Sequence, residues 1–359
     1  MKNNATAPEF FLGANTPAGF FSIFNNLYSP QQGWFCHILK GGPGTGKSTL
    51  MKKIAEKHSD CEIIRCSSDP KSLDAVILKS SKTCIVDGTA PHVIDPTYPG
   101  VSDEIINLGE YWNKKQLKKS KKNILKFCQE NSKFHKTSAK YLAALGVAFE
   151  YNSKIIEENT NYEKLDSFCE KFSKKILKKL PKSKGSEKLR FVTSITPDGY
   201  IFLQKAVSSL CEKLIVIDDN FSVLGSYILK YLRKCALEKN YNIISCPCPF
   251  SPKEHLEALF ITDLKIGIIV KNQNTSQNFL NEITLKPEKI YTKKFLNKEN
   301  VSKSKNILTF NSKICKEFLK ESVSNLSKAR KIHDKIEAIY SKAMNYEKVN
   351  KIAQKLGSF

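Results

Sequence analysis

Arginine is nearly missing from this chain: of 58 basic residues only four, Arg65, Arg190, Arg233 and Arg330, carry a guanidinium. Proteins that read nucleic acid lean on arginine's planar, bidentate fork for phosphates and base edges. The formal net charge of +23 therefore reads as solvated lysine faces ahead of a nucleic-acid surface. Long apolar runs are missing too; the longest, Tyr141 to Tyr151, already holds Glu150 and is too short to span a bilayer. The polar opening Met1-Lys2-Asn3-Asn4 has no signal-peptide core, so the expectation is a cytoplasmic protein without a membrane partner. Zinc spacing is likewise absent. The eleven cysteines are scattered, and the closest pair, Cys246 and Cys248, flanks Pro247, which points to reduced and mostly buried thiols.

What is present is enough apolar residue, 41% of 359, for two ordinary domains. The most informative segment is Gly41-Gly42-Pro43-Gly44-Thr45-Gly46-Lys47-Ser48, which fits the phosphate-binding loop (P-loop) pattern of glycine, four residues, glycine, lysine and serine. Glycines in such a loop let successive backbone N–H groups turn around a phosphate, and the following helix aims its positive dipole end at the same place. Lys47 is expected to reach the β/γ-phosphates, Ser48 to hold Mg²⁺, and Gly41 to Thr49 together to bind the nucleotide. The flanks agree: Phe35-Cys36-His37-Ile38-Leu39 reads as a strand, and Thr49 to Ala55 starts a helix with Leu50, Met51 and Ile54 on one side.

The chain is also written twice. Thr16-Pro17-Ala18-Gly19-Phe20 returns 180 residues later as Thr196-Pro197-Asp198-Gly199-Tyr200, Pro70-Lys71 as Pro252-Lys253, and Asn161-Tyr162-Glu163-Lys164 as Asn345-Tyr346-Glu347-Lys348. The lysine-, serine- and glycine-rich stretch Pro181 to Ser186 marks the boundary, giving expected domains 1–183 and 184–359. Each half reads as an α/β segment followed by a lysine-rich helical tail, from about Lys114 to Leu180 and from about Ser312 onward. Apolar residues such as Ile332, Ile336, Tyr340 and Met344 fall at helical spacing and are expected to pack on the α/β core.

In this alignment Asp218 to Ser226 takes the place of Lys40 to Ser48, so the second copy lacks the lysine and all but one glycine, and carries Asp218 and Asp219 near where phosphate oxygens would sit. Two carboxylates there repel a triphosphate by several kcal/mol at an effective dielectric of ~20. The second half is expected to be degenerate. The metal acid should be Asp87, which ends the apolar run Cys84-Ile85-Val86, with Lys271 as its repeat partner.

No glutamate stands beside Asp87, which argues for slow hydrolysis, for phosphoryl transfer to another acceptor, or for a base from elsewhere. His92 is the nearest candidate, as base or substrate contact, against the alternative of a turn residue. Asp69 and Asp74 could approach the phosphates, or Asp69 could cap a turn ahead of Pro70. An arginine finger could come from Arg65 or Arg190. No Asn-Lys-x-Asp element for guanine is present, which favours ATP over GTP.

Phe11 to Phe20, Leu39 to Lys53, Ser68-Asp69-Pro70-Lys71-Ser72-Leu73-Asp74, Asp87-Gly88-Thr89-Ala90-Pro91-His92 and His333-Asp334-Lys335-Ile336-Glu337 together resemble a largely uncharacterised bacterial family of tandemly duplicated P-loop ATPases. Members of that family usually carry two intact loops; this chain departs from them in its second copy. The resemblance implies two tandem P-loop NTPase-like domains with mostly parallel sheets flanked by helices, ATP and Mg²⁺ as ligands, and ATP hydrolysis as the activity. Three function classes stay open: a slow ATPase or nucleotide-dependent switch, a small-molecule or nucleotide kinase, and a nucleic-acid-associated ATPase.

Overall fold

A computed structural model describes residues 7–357 apart from 179, 181–183, 276–278 and 282; the Met1 to Asn4 opening and Pro181 to Ser183 of the expected boundary lie outside the described residues. The first half contains β1 (Glu9–Phe10), the hairpin β2 (Gly13–Thr16) and β3 (Gly19–Ser22), β4 (Phe35–Lys40), α1 (Lys47–Ala55), β5 (Cys61–Arg65), β6 (Leu73–Leu78), β7 (Thr83–Asp87) and β8 (Asp103–Asn107). Its tail is α2 (Lys114–Lys119), α3 (Lys121–Glu158) and α4 (Tyr162–Ile176). The second half repeats this order with β9 (Glu187–Leu189), the hairpin β10 (Thr193–Thr196) and β11 (Gly199–Phe202), α5 (Gln204–Leu210), β12 (Lys213–Asp218) and α6 (Val223–Glu238). It continues through β13 (Ile243–Pro247), β14 (Leu256–Ile261), β15 (Ile266–Lys271), β16 (Glu288–Tyr291), α7 (Lys298–Lys303), α8 (Lys305–Lys342) and α9 (Tyr346–Leu356). The second tail thus starts before Ser312, because Asn297 caps α7 by accepting from the N–H of Asn300.

Both halves build a six-stranded mixed sheet of the same order, β1-β5-β6-β7-β4-β8 and β9-β13-β14-β15-β12-β16. Only β6 and β14 run against their neighbours, so five strands of each sheet are parallel. Strands buried on both faces should read as continuous apolar runs, and β6 and β14 (Leu73 to Leu78, Leu256 to Ile261) are buried at every position. The sheets share one core: Cys36, Ile38, Cys84 and Val86 of the first join Leu214, Val216, Phe260 and Ile269 of the second.

The outer faces are covered crosswise. Val349, Ala353 and Leu356 of α9 pack with Leu50, Met51 and Ile54 of α1, while Leu165 and Cys169 of α4 join the core around Ile228, Leu229 and Leu232 of α6. Each tail therefore completes the other half's sheet. The crossing is made by α3 and α8, which run antiparallel: Asn131 bonds the carbonyl of Ala329, Ser138 bonds Ser322 at 2.7 Å, Cys315 bonds the carbonyl of Leu145, and Asn152 accepts from Asn311. Along α3 these contacts step by seven residues, as in a coiled coil. Ser138 and Ser322 are repeat equivalents, so a pseudo-two-fold axis passes between their hydroxyls. The axis also relates Phe11 and Phe191, which exchange backbone hydrogen bonds at 2.8 and 2.9 Å. The repeated Asn-Tyr-Glu-Lys segment has a physical basis too: Asn161 and Asn345 cap α4 and α9 by accepting from Lys164 and Lys348 N–H.

Candidate functional site

The loop Gly41–Gly46 joins β4 to α1 at the end of the first sheet where β7 also ends. Gly44 and Gly46 sit at φ of 71° and 86°, conformations that L side chains rarely adopt. Lys47 Nζ folds back over the loop and donates to the carbonyls of Gly41 at 2.6 Å and Gly42 at 3.0 Å, which leaves it 3.5 Å from Asp87 Oδ2. Thr45 Oγ1 ties the loop by donating to the carbonyl of Gly42 at 2.9 Å. Ser48 Oγ, at the head of α1, accepts the Leu73 N–H at 3.0 Å, and Thr49 beside it is exposed. In the second copy Ser226 accepts the Leu256 N–H in the same way, so this serine has a structural duty in both halves.

Asp87 closes β7 and holds the Thr89 N–H and hydroxyl on Oδ1 at 2.9 and 2.6 Å, so that Oδ2 faces Lys47. One step beyond the paired residues Ala75 and Val86, Asp74 stands across from Asp87. Burial, and then the charge of Asp87, push its carboxyl up to about 7. His92 lies with Nε2 4.0 Å from Asp74 Oδ1, its ring stacked on Phe24 at 4.2 Å and 2°. Neither ring nitrogen has a hydrogen-bond partner among the described residues. Burial holds this histidine below its ordinary value, against the upward pull of Asp87. Lys40 staples the segment between them, donating to the carbonyls of Gly88 at 2.9 Å and Ile94 at 2.6 Å.

Sequence reasoning missed who covers the loop. Tyr346 of α9 donates its hydroxyl to the Gly44 carbonyl at 2.7 Å. A Cβ on Gly44 would come within 2.6 Å of the Glu337 carbonyl and 2.7 Å of Ser341 Oγ, both on α8. Trp112 and Tyr340 lie beside Gly42. The second half's tail is thus seated on the first half's loop; the repeated tetrapeptide that contains Tyr346 was the one available signal.

The two arginines expected to approach the loop are both engaged elsewhere. Arg65 forks onto Glu9, with 2.9 and 2.6 Å bonds, and Arg190 is buried against Glu62 and the carbonyls of Asn26 and Leu189. Asp69 holds the turn ahead of Ser72 by accepting its hydroxyl at 2.6 Å. Cys246 and Cys248 are buried, and burial pushes both thiols well above their ordinary range, as expected for inert packing residues.

The second copy differs in a way its sequence only half suggests. Asp219, in the place of Gly41, turns its carboxylate into its own loop and accepts the N–H groups of Gly225 at 2.7 Å and Phe221 at 3.2 Å. The loop's donors are filled from within. Strand register places Val270, not Lys271, at the position of Asp87, since Ala75 pairs with Val86 as Ala258 pairs with Ile269. The Lys47–Asp87 pair is thereby replaced by Gly225 and Val270, and a Cβ on Gly225 would lie 2.7 Å from the Val270 side chain. Glu257 corresponds to Asp74, but it accepts the Thr193 and Tyr200 hydroxyls, where the first half has Gly13 and Phe20.

Oxygen donors for a hard cation exist at Asp87 and Ser48. A separate exposed set on α8, His333, Asp334 and Glu337, has ligand atoms within 4.8 Å of one another. No helix among the described residues is long and apolar enough to cross a membrane. Comparison of the chain with protein-family models, with curated proteins and with solved structures finds no match.

Proposed function

We propose that the protein binds Mg²⁺-ATP at one site, the Gly41–Thr49 loop of the first half, and works as a slow ATPase or nucleotide-dependent switch. The observation that carries the reading is the asymmetry of the two copies. Lys47 is anchored by two loop carbonyls and faces Asp87 in one; in the other both are gone and Asp219 occupies the donors. In this reading residues 1–183 hold the working site and 184–359 the degenerate copy. Bound Mg²⁺ neutralises charge on the β- and γ-phosphates. Backbone N–H groups of Gly42 and of Gly44 to Ser48, with the start of α1, would hold the phosphates, Lys47 would meet the β/γ oxygens, and Ser48 with Asp87 would hold the metal. Asp74 and His92, buried beside Asp87, are the groups able to take a proton from the attacking nucleophile.

Titration calorimetry with Mg²⁺-ATP tests this. Lys47→Ala should weaken binding by at least tenfold, and Asp218→Ala should leave it unchanged; equal losses in both would sink the one-site reading. Turnover that rises on addition of a phosphate acceptor would move the assignment to a kinase, and turnover stimulated by DNA or RNA to a nucleic-acid ATPase.

A further inference from the structure

Phosphoryl transfer on a loop of this kind gains greatly from a second cation that meets the transition state, beyond the loop lysine. Three of the four arginines are committed elsewhere: Arg65 to Glu9, Arg190 to Glu62, and Arg233 to Glu187 at the far edge of the second sheet. Arg330 is the exception. It rises from α8 and bridges two partly exposed carboxylates from different halves, Asp69 at 2.7 Å and Asp198 at 3.2 Å. Arg330, Asp69 and Asp198 all keep part of their surface in water, so solvation offsets the release of these contacts.

Arg330 also lies on the covering helix. Glu337, whose carbonyl abuts Gly44, is two helical turns further on the same face, about 10 Å along the axis. Its partner Asp69 holds the turn at Ser72 that leads into Leu73, whose N–H bonds Ser48 at the head of α1, so the guanidinium is tied to the segment that abuts the loop helix.

The internal repeat supplies an independent comparison. With Ser138 matched to Ser322, the counterpart of Arg330 is Gly146, where a Cβ would lie 2.5 Å from Pro17. Ala18 stands for Asp198, and Ser251 for Asp69. The arginine and both of its holders occur only on the side of the intact loop. A clasp needed merely to join the halves has no reason to be one-sided in a pseudo-symmetric molecule.

We infer that Arg330 is an arginine finger supplied by the second half to the first half's loop: it leaves Asp69 and Asp198 and places its guanidinium on the transferring phosphoryl group. The inference rests on the ATP reading above. In the step it assists, a water oxygen bonds to the γ-phosphorus while the bond from that phosphorus to the bridging oxygen breaks. The electron pair stays on ADP, and the water's proton is taken up by Asp74 or His92 and handed on to the released phosphate.

The test uses the full chain, with Mg²⁺-ATP turnover, ATP affinity and capture of ADP with aluminium fluoride as a transition-state mimic. Arg330→Ala and Arg330→Lys should each lower kcat on the order of 10³-fold, abolish aluminium fluoride capture, and leave ATP affinity within about threefold. Asp198→Asn, which weakens only the clasp, should keep turnover. Unchanged kcat and capture in Arg330→Ala would overturn the inference. So would rescue by lysine, or a loss in Asp198→Asn equal to that in Arg330→Ala. Failure of the parent protein to bind ATP, or binding that survives Lys47→Ala, would instead overturn the underlying reading.

Discussion

Asp219 illustrates how one side chain can fill the donors of its own loop. A backbone turned to present N–H groups must satisfy them, and in the second copy a carboxylate from the loop itself does so. Asp219→Ala orphans the Gly225 and Phe221 donors and should cost about 1–3 kcal/mol in urea unfolding. Glu257 gives a pH signature. Burial raises its carboxyl from 4.5 to about 7, so between these values the folded chain keeps a proton that the unfolded chain has lost. Stability should therefore fall as pH rises through that window and level off above it. Asp74 adds to the same slope when nucleotide and divalent cations are absent. The double variant Asp74→Asn, Glu257→Gln should flatten it, as read from unfolding midpoints between pH 5 and 8.

At the scale of elements, the long helices set the geometry. Ser138 and Ser322 satisfy each other inside the α3–α8 seam. Replacing one with alanine leaves a buried hydroxyl without its partner and should cost roughly 1–2 kcal/mol, whereas replacing both should cost less than the two single losses added. Helix α9 has a different task, since it covers α1 with Val349, Ala353 and Leu356. Leu356→Ala should destabilise by about 2–4 kcal/mol and, because α9 also carries Tyr346 to the Gly44 carbonyl, should loosen the loop. Faster amide exchange at Gly44 to Lys47 would register the change. The helices themselves were legible from apolar spacing. Their partners were not, because an apolar stripe states how much surface must be covered and says nothing about which surface covers it.

On the scale of the whole molecule, the crossed tails make the two halves one cooperative body. Both tryptophans, Trp34 and Trp112, lie in the first half, while backbone circular dichroism reports on both. The two signals should lose structure at the same denaturant concentration. Residues 1–183 expressed alone lack α8 and α9, expose Leu50, Met51 and Ile54, and should aggregate or pair with a second copy; a soluble, folded monomer would contradict the crossed arrangement.

The α/β character, the duplicated order and the approach of Lys47 to Asp87 could be read from spacing, because glycine, lysine and strand-end aspartate at those intervals answer to local backbone chemistry. His92 could be named but not placed: its stacking on Phe24 and its approach to Asp74 depend on the hairpin and on a neighbouring strand. Tertiary structure alone decided that Arg65 and Arg190 are engaged elsewhere, that Val270 and not Lys271 takes the Asp87 position, and that Arg330 bridges Asp69 and Asp198. Local sequence dictates the conformations a backbone accepts and the groups it offers. Which distant groups meet follows from how two sheets and the tail helices bury their apolar faces together, and here that burial carries each tail across the axis to the other half.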